Sequence, residues 1–198
     1  MGIRKILSNR SSGGLGATNI IPNGNFAKDG AWSGGHATAY TSSNLLYITG
    51  DGSSVVAYAW ENTAITAVIG HKIYFRAKLM VTGTVCTNAD LRIQGATGGS
   101  ILAFSKANPS QYITYTLSNV FAITDQTGLI RPWFAHQYAT ALAATNAVMN
   151  VQEALAIDLT TLFGAGEEPT TAQCDVLFPF WFDSMQSNLL SPNSALKN

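Results

Sequence analysis

"HKIYFRAKLMV", residues 71–81, decides the fold class. Ile73, Phe75, Ala77, Leu79 and Val81 alternate with Lys72, Tyr74, Arg76 and Lys78. A period of two puts the first set on one face of an extended chain and the second on the other, which is the signature of a half-buried antiparallel strand. "QYITYTLSNVF" (111–121) repeats it, with Ile113, Tyr115, Leu117 and Phe121 opposed to Tyr112, Thr114, Thr116 and Ser118. Shorter runs follow the same logic: "ATAYT", "NLLYIT", "SVVAYAW", "ADLRIQG", "SILAFSK", "LIRPWFAHQY" and "AVMNVQEALAI". Turn clusters such as "NGN", "GDGSS", "GATGGS", "KANPSQ" and "TDQTG" separate them. This spacing predicts an all-β fold, an antiparallel β-sandwich of jelly-roll type. Pro132 cannot donate to a ladder, so its strand is expected at an edge or with a bulge. Glu153 falls in phase with the apolar Met149, Val151, Leu155 and Ile157. It needs either a bulge, the simpler account, or a buried cation such as Arg76 or Arg92.

The 198-residue chain suits one domain with extensions. Charged residues are 11%, against about 25% in an average globular protein, and eleven basic side chains balance eleven acidic ones. Such a surface repels its own copies weakly and suits a homo-oligomeric subunit of a larger assembly. Without a basic stripe the chain is not expected to bind nucleic acid. No apolar run approaches the ~18 residues of a membrane span, and the apolar stretch at the N-terminus is too short for a signal peptide. A soluble, unexported protein is expected, with Cys86 and Cys174 as free thiols.

Four segments are expected: an arm and linker over 1–18, the sandwich over 19–157, a helical lid over 158–182 and a flexible tail over 183–198. The arm joins "IRKIL" to a Ser/Gly-rich linker. Ile3, Arg4, Lys5, Ile6, Leu7 and Arg10 are its candidates for anchoring against a neighbouring subunit. Acidic residues dominate from Glu153 onward, so arm and tail either pair head to tail or are solvated.

The lid reads "DLTTLFGAGEEPTTAQCDVLF". No Lys follows Gly164 or Gly166 before Lys197, which excludes a phosphate loop. Pro169 stands where a dinucleotide fingerprint needs glycine. Glu167 and Glu168 have no His or apolar pocket nearby to separate their acidities, so they are read as solvated, not as an acid pair. Asp158 can cap a short helix ending in Phe163, and Gly164 can supply a left-handed stop. Thr170 and Gln173 form a capping box for a second helix with Cys174, Leu177 and Phe178 on one face. The lid is expected to close a sheet edge.

This segment resembles the D-L-T-x-x-F-G-x-G-x-E-P-[ST] string at the ends of β-rich modules in bacteriophage tail, baseplate and head-fibre proteins. Asp158, Phe163, Gly164, Gly166, Pro169 and Thr170 carry the match. "NIIPNGNFAKDGAW" resembles the opening of carbohydrate-binding-module-like jelly rolls through Asn19, Ile20, Ile21, Asn23, Gly24, Asn25, Phe26 and Trp32. The two resemblances imply a non-enzymatic virion structural protein, a head-fibre, decoration, tail or baseplate subunit. It would be assembled in the host cytoplasm and display a carbohydrate-binding-like sandwich on the particle, held to other virion proteins by the arm.

Sugar binding needs flat aromatic faces beside amide and carboxylate hydrogen-bonding groups. Tyr58 and Trp60 share a face of their strand and are followed by Glu61 and Asn62. Arg131, Trp133 and Gln137 share a face of theirs. These seven are the candidate glycan platform, and host surface glycans the candidate ligands. The competing reading of strand tryptophans is core, which is expected of Trp32 and Trp181. His36, His71 and His136 form no triad or metal pattern. Related sandwiches sometimes hold structural Ca²⁺, for which Asp29, Asp51 and Asp90 are the available ligands, but no D-x-D-x-D loop supports a metal. No cofactor is expected. A glycan-processing enzyme is the remaining alternative.

Overall fold

The structure, a computed structural model, describes residues 16–95, 100–124, 127–180 and 185–186. The anchoring residues of the arm, Trp181 and most of the tail lie outside these. The strands are β1 (Ala17–Thr18), β2 (Trp32–Gly35), β3 (Ala37–Ser42), β4 (Leu45–Gly50), β5 (Val56–Glu61), β6 (Ile65–Thr66) and β7 (Lys72–Thr82). They continue with β8 (Asn88–Gly95), β9 (Ser100–Ala107), β10 (Tyr115–Ala122), β11 (Leu129–Gln137), β12 (Val148–Asp158) and β13 (Met185–Gln186).

One sheet runs β10-β7-β12-β4-β3; the other runs β2-β5-β11-β8-β9, with β6 also paired to β11. All pairings are antiparallel. The apolar face of β7 meets Leu46, Ile48, Met149 and Val151 from its own sheet and Leu91, Ile93, Ile130 and Phe134 from the opposite one. Each such side chain contributes about 1.5–3 kcal/mol on full burial. The antiparallel β-sandwich predicted from the period-2 runs is therefore present, and all nine quoted runs supply strands.

Three local expectations change. Pro132 lies in β11, a central strand rather than an edge. It faces Ile93 of β8, and on its other side the ladder pauses between the end of β5 and the start of β6. The strand expected from 111 starts only at Tyr115, because Tyr112 takes φ +61 and its N–H donates to the Val81 carbonyl at 3.0 Å. Glu153 is re-aimed by a bulge between Gln152 and Leu155, with φ +55, and it pairs with Lys78 at 2.6 Å, not with Arg76 or Arg92.

The N-terminal motif clasps that bulge. Asn19 donates to the Ala154 carbonyl and accepts from the Ala156 N–H, at 3.1 and 3.0 Å. The Ala154 N–H donates to the Gly24 carbonyl, and a Cβ on Gly24 would meet the Ala154 oxygen at 2.2 Å. Only glycine fits so close an approach. Asn23 closes the loop through both hydrogen bonds to the Lys28 backbone, while Asn25 Oδ1 accepts from the Ala27 N–H. Phe26 then drops into the core against Trp32 and Phe134, with ring centroids 5.4 and 6.3 Å away.

The C-terminal segment forms two short helices, Leu159–Phe163 and Thr171–Leu177. Asp158 caps the first, and the Thr170–Gln173 capping box is present on the second. Gly164 ends the first helix at φ +94, although its ψ of 152 is extended and not left-handed helical. The helices do not merely close an edge. Leu159, Leu162, Phe163, Cys174 and Phe178 cover Tyr74, Leu155 and Ile157 on the outer face of the five-stranded sheet. Glu168 is not solvated either. Its carboxylate accepts from the Thr160 hydroxyl at 2.7 Å, the Gly166 N–H at 3.0 Å and Lys72 at 3.2 Å. Burial alone would raise its pKa, but the bonds from Thr160, its own backbone and Lys72 outweigh that and hold it at about 2. Ala17 joins this cluster, and β1 pairs with β13, so the ends of the stretches assigned to arm and tail run antiparallel beside it. Both thiols are free and buried, and burial pushes Cys174 up to about 12.

Candidate functional site

Strand parity decides what the six-stranded sheet shows on its outer face. Ala57, Ala59 and Glu61 of β5 point into the sandwich, which turns Tyr58 and Trp60 outward. Ile130, Phe134 and His136 of β11 are buried inward, which turns Arg131, Trp133 and Gln137 outward. On β8, inward Ala89, Leu91 and Ile93 leave Asp90, Arg92 and Gln94 outward.

Register then assembles the rows. Ser33, Trp60, Trp133 and Arg92 face one another across four strands. The next row holds Gly35, Tyr58, Ala135, Asp90 and Ser105, and on the other side Arg131 faces Gln94. Directly opposed side chains are close enough to interact. Tyr58 meets Trp133 edge-on with centroids 4.8 Å apart and lies 5.7 Å from Trp60. A Cβ on Gly35 would come within 2.3 Å of the Tyr58 ring, so glycine makes room for the tyrosine to lie down. The three rings form a half-buried aromatic surface.

Polar groups border it. The Arg92 guanidinium sits 4.8 Å from the Trp133 ring centre, within cation–π range. It also pairs with Asp90. Asp90 is fully engaged: Oδ2 accepts from Arg92 and, at 2.7 Å, from Gln137, while Oδ1 accepts from Ser105 at 2.6 Å. Trp133 Nε1, Arg92 Nε and Arg131 Nε are buried without a hydrogen-bond partner. Leaving such a donor unmet costs about 1–3 kcal/mol, which favours an occupant that can accept from it.

Of the seven platform candidates, the structure brings five together: Tyr58, Trp60, Arg131, Trp133 and Gln137. Glu61 points the other way, 1% exposed; desolvation lifts its carboxyl to about 7, against the opposing pull of hydrogen bonds from the Thr63 and Asn62 N–H groups. Asn62 is a strut, accepting from Ser33 at 2.5 Å and donating to the Gly30 carbonyl at 3.2 Å. Sequence reasoning left Asp90, Arg92, Gln94 and Ser105 out of the platform. The alternation of Asp90, Arg92 and Gln94 with three apolar residues was the signal for the first three. Behind the platform, His136 is held neutral, its imidazole lowered to about 4 by burial, with Nδ1 2.7 Å from the Tyr138 hydroxyl.

The candidate calcium ligands serve locally. Asp29 accepts from the Gly30 and Thr41 N–H groups, Asp51 from the Ser53 N–H, and Asp90 as above. Among the described residues no group of three or more His, Cys, Asp or Glu is placed to hold a metal ion.

No protein-family model and no curated protein matches the chain. Solved structures do. A family 4 carbohydrate-binding module aligns with a TM-score of 0.50 at 12% identity, over 69% of this chain and 98% of its own. The CBM22-1 xylan-binding domain of Paenibacillus barcinonensis Xyn10C aligns at 0.51 and 9% identity, over 75% and 98%. An arabinose-bound GH51 α-L-arabinofuranosidase aligns at 0.52 and 11% identity, over 74% of this chain but 27% of its own. At such identities the likeness is one of fold: this chain has the jelly-roll sandwich of carbohydrate-binding modules.

Proposed function

We propose that the chain is a non-enzymatic bacteriophage virion structural protein whose sandwich binds host surface glycans through the outer face of the six-stranded sheet. The observation that carries the binding half is the cluster of Tyr58, Trp60 and Trp133, three aromatic rings held half-open on one sheet face beside unmatched donors. Aromatic faces stack on the C–H faces of sugar rings, and the flanking amide and guanidinium groups order the hydroxyls. Asp90 is the only carboxylate on this face among the described residues, and its oxygens are already bonded. Glycoside hydrolysis uses two carboxyl groups, which favours binding over catalysis. A glycan array with the wild type, Trp60→Ala and Trp133→Ala tests it. Binding that survives both substitutions, or no binding by the wild type, removes this half.

The virion half rests on the resemblance of the C-terminal segment, residues 158–178, to the ends of phage modules, and assembly through residues 1–18 belongs to it. Deleting residues 1–15, which leaves β1 in place, is expected to give a folded protein that no longer joins particles. Undiminished incorporation of the shortened chain overturns it.

A further inference from the structure

We infer that the ligand of the six-stranded face is an acidic glycan, with Arg131 the residue that reads its anionic group; this rests on the glycan-binding reading above. The cations carried by the strands differ in the partners they have. Lys72 pairs with Glu168, Lys78 with Glu153 and Arg92 with Asp90. Arg76 donates to the Phe178 carbonyl at 2.8 Å, and Lys106 lies 5.1 Å from the centre of the Tyr115 ring. The Arg131 side chain has no ion pair or hydrogen bond among the described residues, and its Nε is buried and unmatched.

Its place in the sheet makes that isolation informative. Arg131 stands on the aromatic face, two residues before Trp133 on the same strand and opposite the uncharged Gln94. On its other side the ladder pauses between β5 and β6, so no strand residue with a carboxylate faces it. The one carboxylate of this face among the described residues, Asp90, has its oxygens taken by Arg92, Gln137 and Ser105. Among the described residues, two guanidinium groups against one saturated carboxylate leave the face with one uncompensated positive charge, in a chain whose formal net charge is zero. A guanidinium offers a planar fork of donors matched to a carboxylate, and it stays charged at any physiological pH. A sugar ring stacked on Trp133 would present a carboxylate substituent, as in a uronic or sialic acid unit, toward that fork.

The test uses the full chain on an array of paired glycans, each acidic polymer beside its carboxyl-reduced or desialylated counterpart, followed by titration of the best pair. The wild type is expected to favour the acidic member by about 10–100-fold, the range of one charge-assisted hydrogen-bonded pair. That preference should shrink as salt is raised. Arg131→Gln should bind both members at the neutral level, Arg131→Lys should keep part of the preference, and Trp133→Ala should lose both. Equal wild-type binding to acidic and neutral members, or an acid preference intact in Arg131→Gln, overturns the inference while leaving glycan binding standing. No binding to any member overturns both.

Discussion

The outer faces of the two sheets are built from similar parts and end differently. On the five-stranded sheet, Tyr74 and Arg76 lie beneath the C-terminal helices; Tyr74 donates to Asp175 at 2.7 Å and Arg76 to the Phe178 carbonyl. Lys72 and Glu168 close the margin. On the six-stranded sheet, Tyr58, Trp60, Trp133 and Arg131 keep their surface, and three donors there go unmatched. Aromatic and cationic side chains on a strand therefore do not mark a binding site by themselves. What separates structure from recognition is whether the fold supplies the partners.

The sharpest way to break this comparison is to truncate one aromatic on each face. Phe178→Ala, under the helices, should cost about 3–5 kcal/mol, because it opens a cavity in a closed cluster. Trp60→Ala, on the open face, should cost no more than about 2 kcal/mol. Thermal or denaturant unfolding of the two variants decides. Equal losses would mean that the platform is a second core.

Glu61, beneath the open face, offers a subtler probe. Its carboxyl sits at about 7 in the fold against an ordinary 4.5. Between those values the folded protein holds more protons than the unfolded chain, so Glu61 destabilises progressively as pH rises from 4.5 through 7. Glu61→Gln should therefore match or trail the wild type at pH 4.5 and exceed it at pH 8 by on the order of 1–3 kcal/mol. Taking the difference between the two proteins removes the contribution of His136, which titrates in a nearby range. A constant difference across pH would contradict the assignment.

Glu168 gives the opposite sign on the closed side. With its carboxyl at about 2 in the fold, its stabilisation is present above about 4.5 and is lost as pH falls toward 2. Glu168→Gln should cost about 1–2 kcal/mol near pH 7 through weakened bonds to Thr160, Lys72 and Gly166. The gap should narrow on acidification, as denaturant melts at pH 7 and pH 3 would show.

Much of this architecture is legible in residue order because strand parity is local. The alternation in 71–81 places Phe75 inside and Tyr74 outside without knowledge of the partner strand, and the Thr170–Gln173 capping box is read from four residues. Parity also finds Tyr58 with Trp60 and Arg131 with Trp133. It does not tell that β5 and β11, some seventy residues apart, lie side by side, nor that β8 brings Arg92 over Trp133. Pairing of distant strands is a property of the whole chain, so Pro132 alone allows an edge or a bulge, and the structure places it in a central strand where the pairing shifts from β5 to β6. Glu61 is a different case: its chemistry suits a sugar site, but local parity, one residue after Trp60, already sends it inward.

The most direct test of the account is one titration run beside one melt. Trp133→Ala should keep the wild-type strand-rich spectrum and most of the melting temperature, yet lose measurable affinity for the glycan that the wild type selects from the array. Retained affinity in that folded variant would contradict the claim that the open face of the six-stranded sheet is the binding surface.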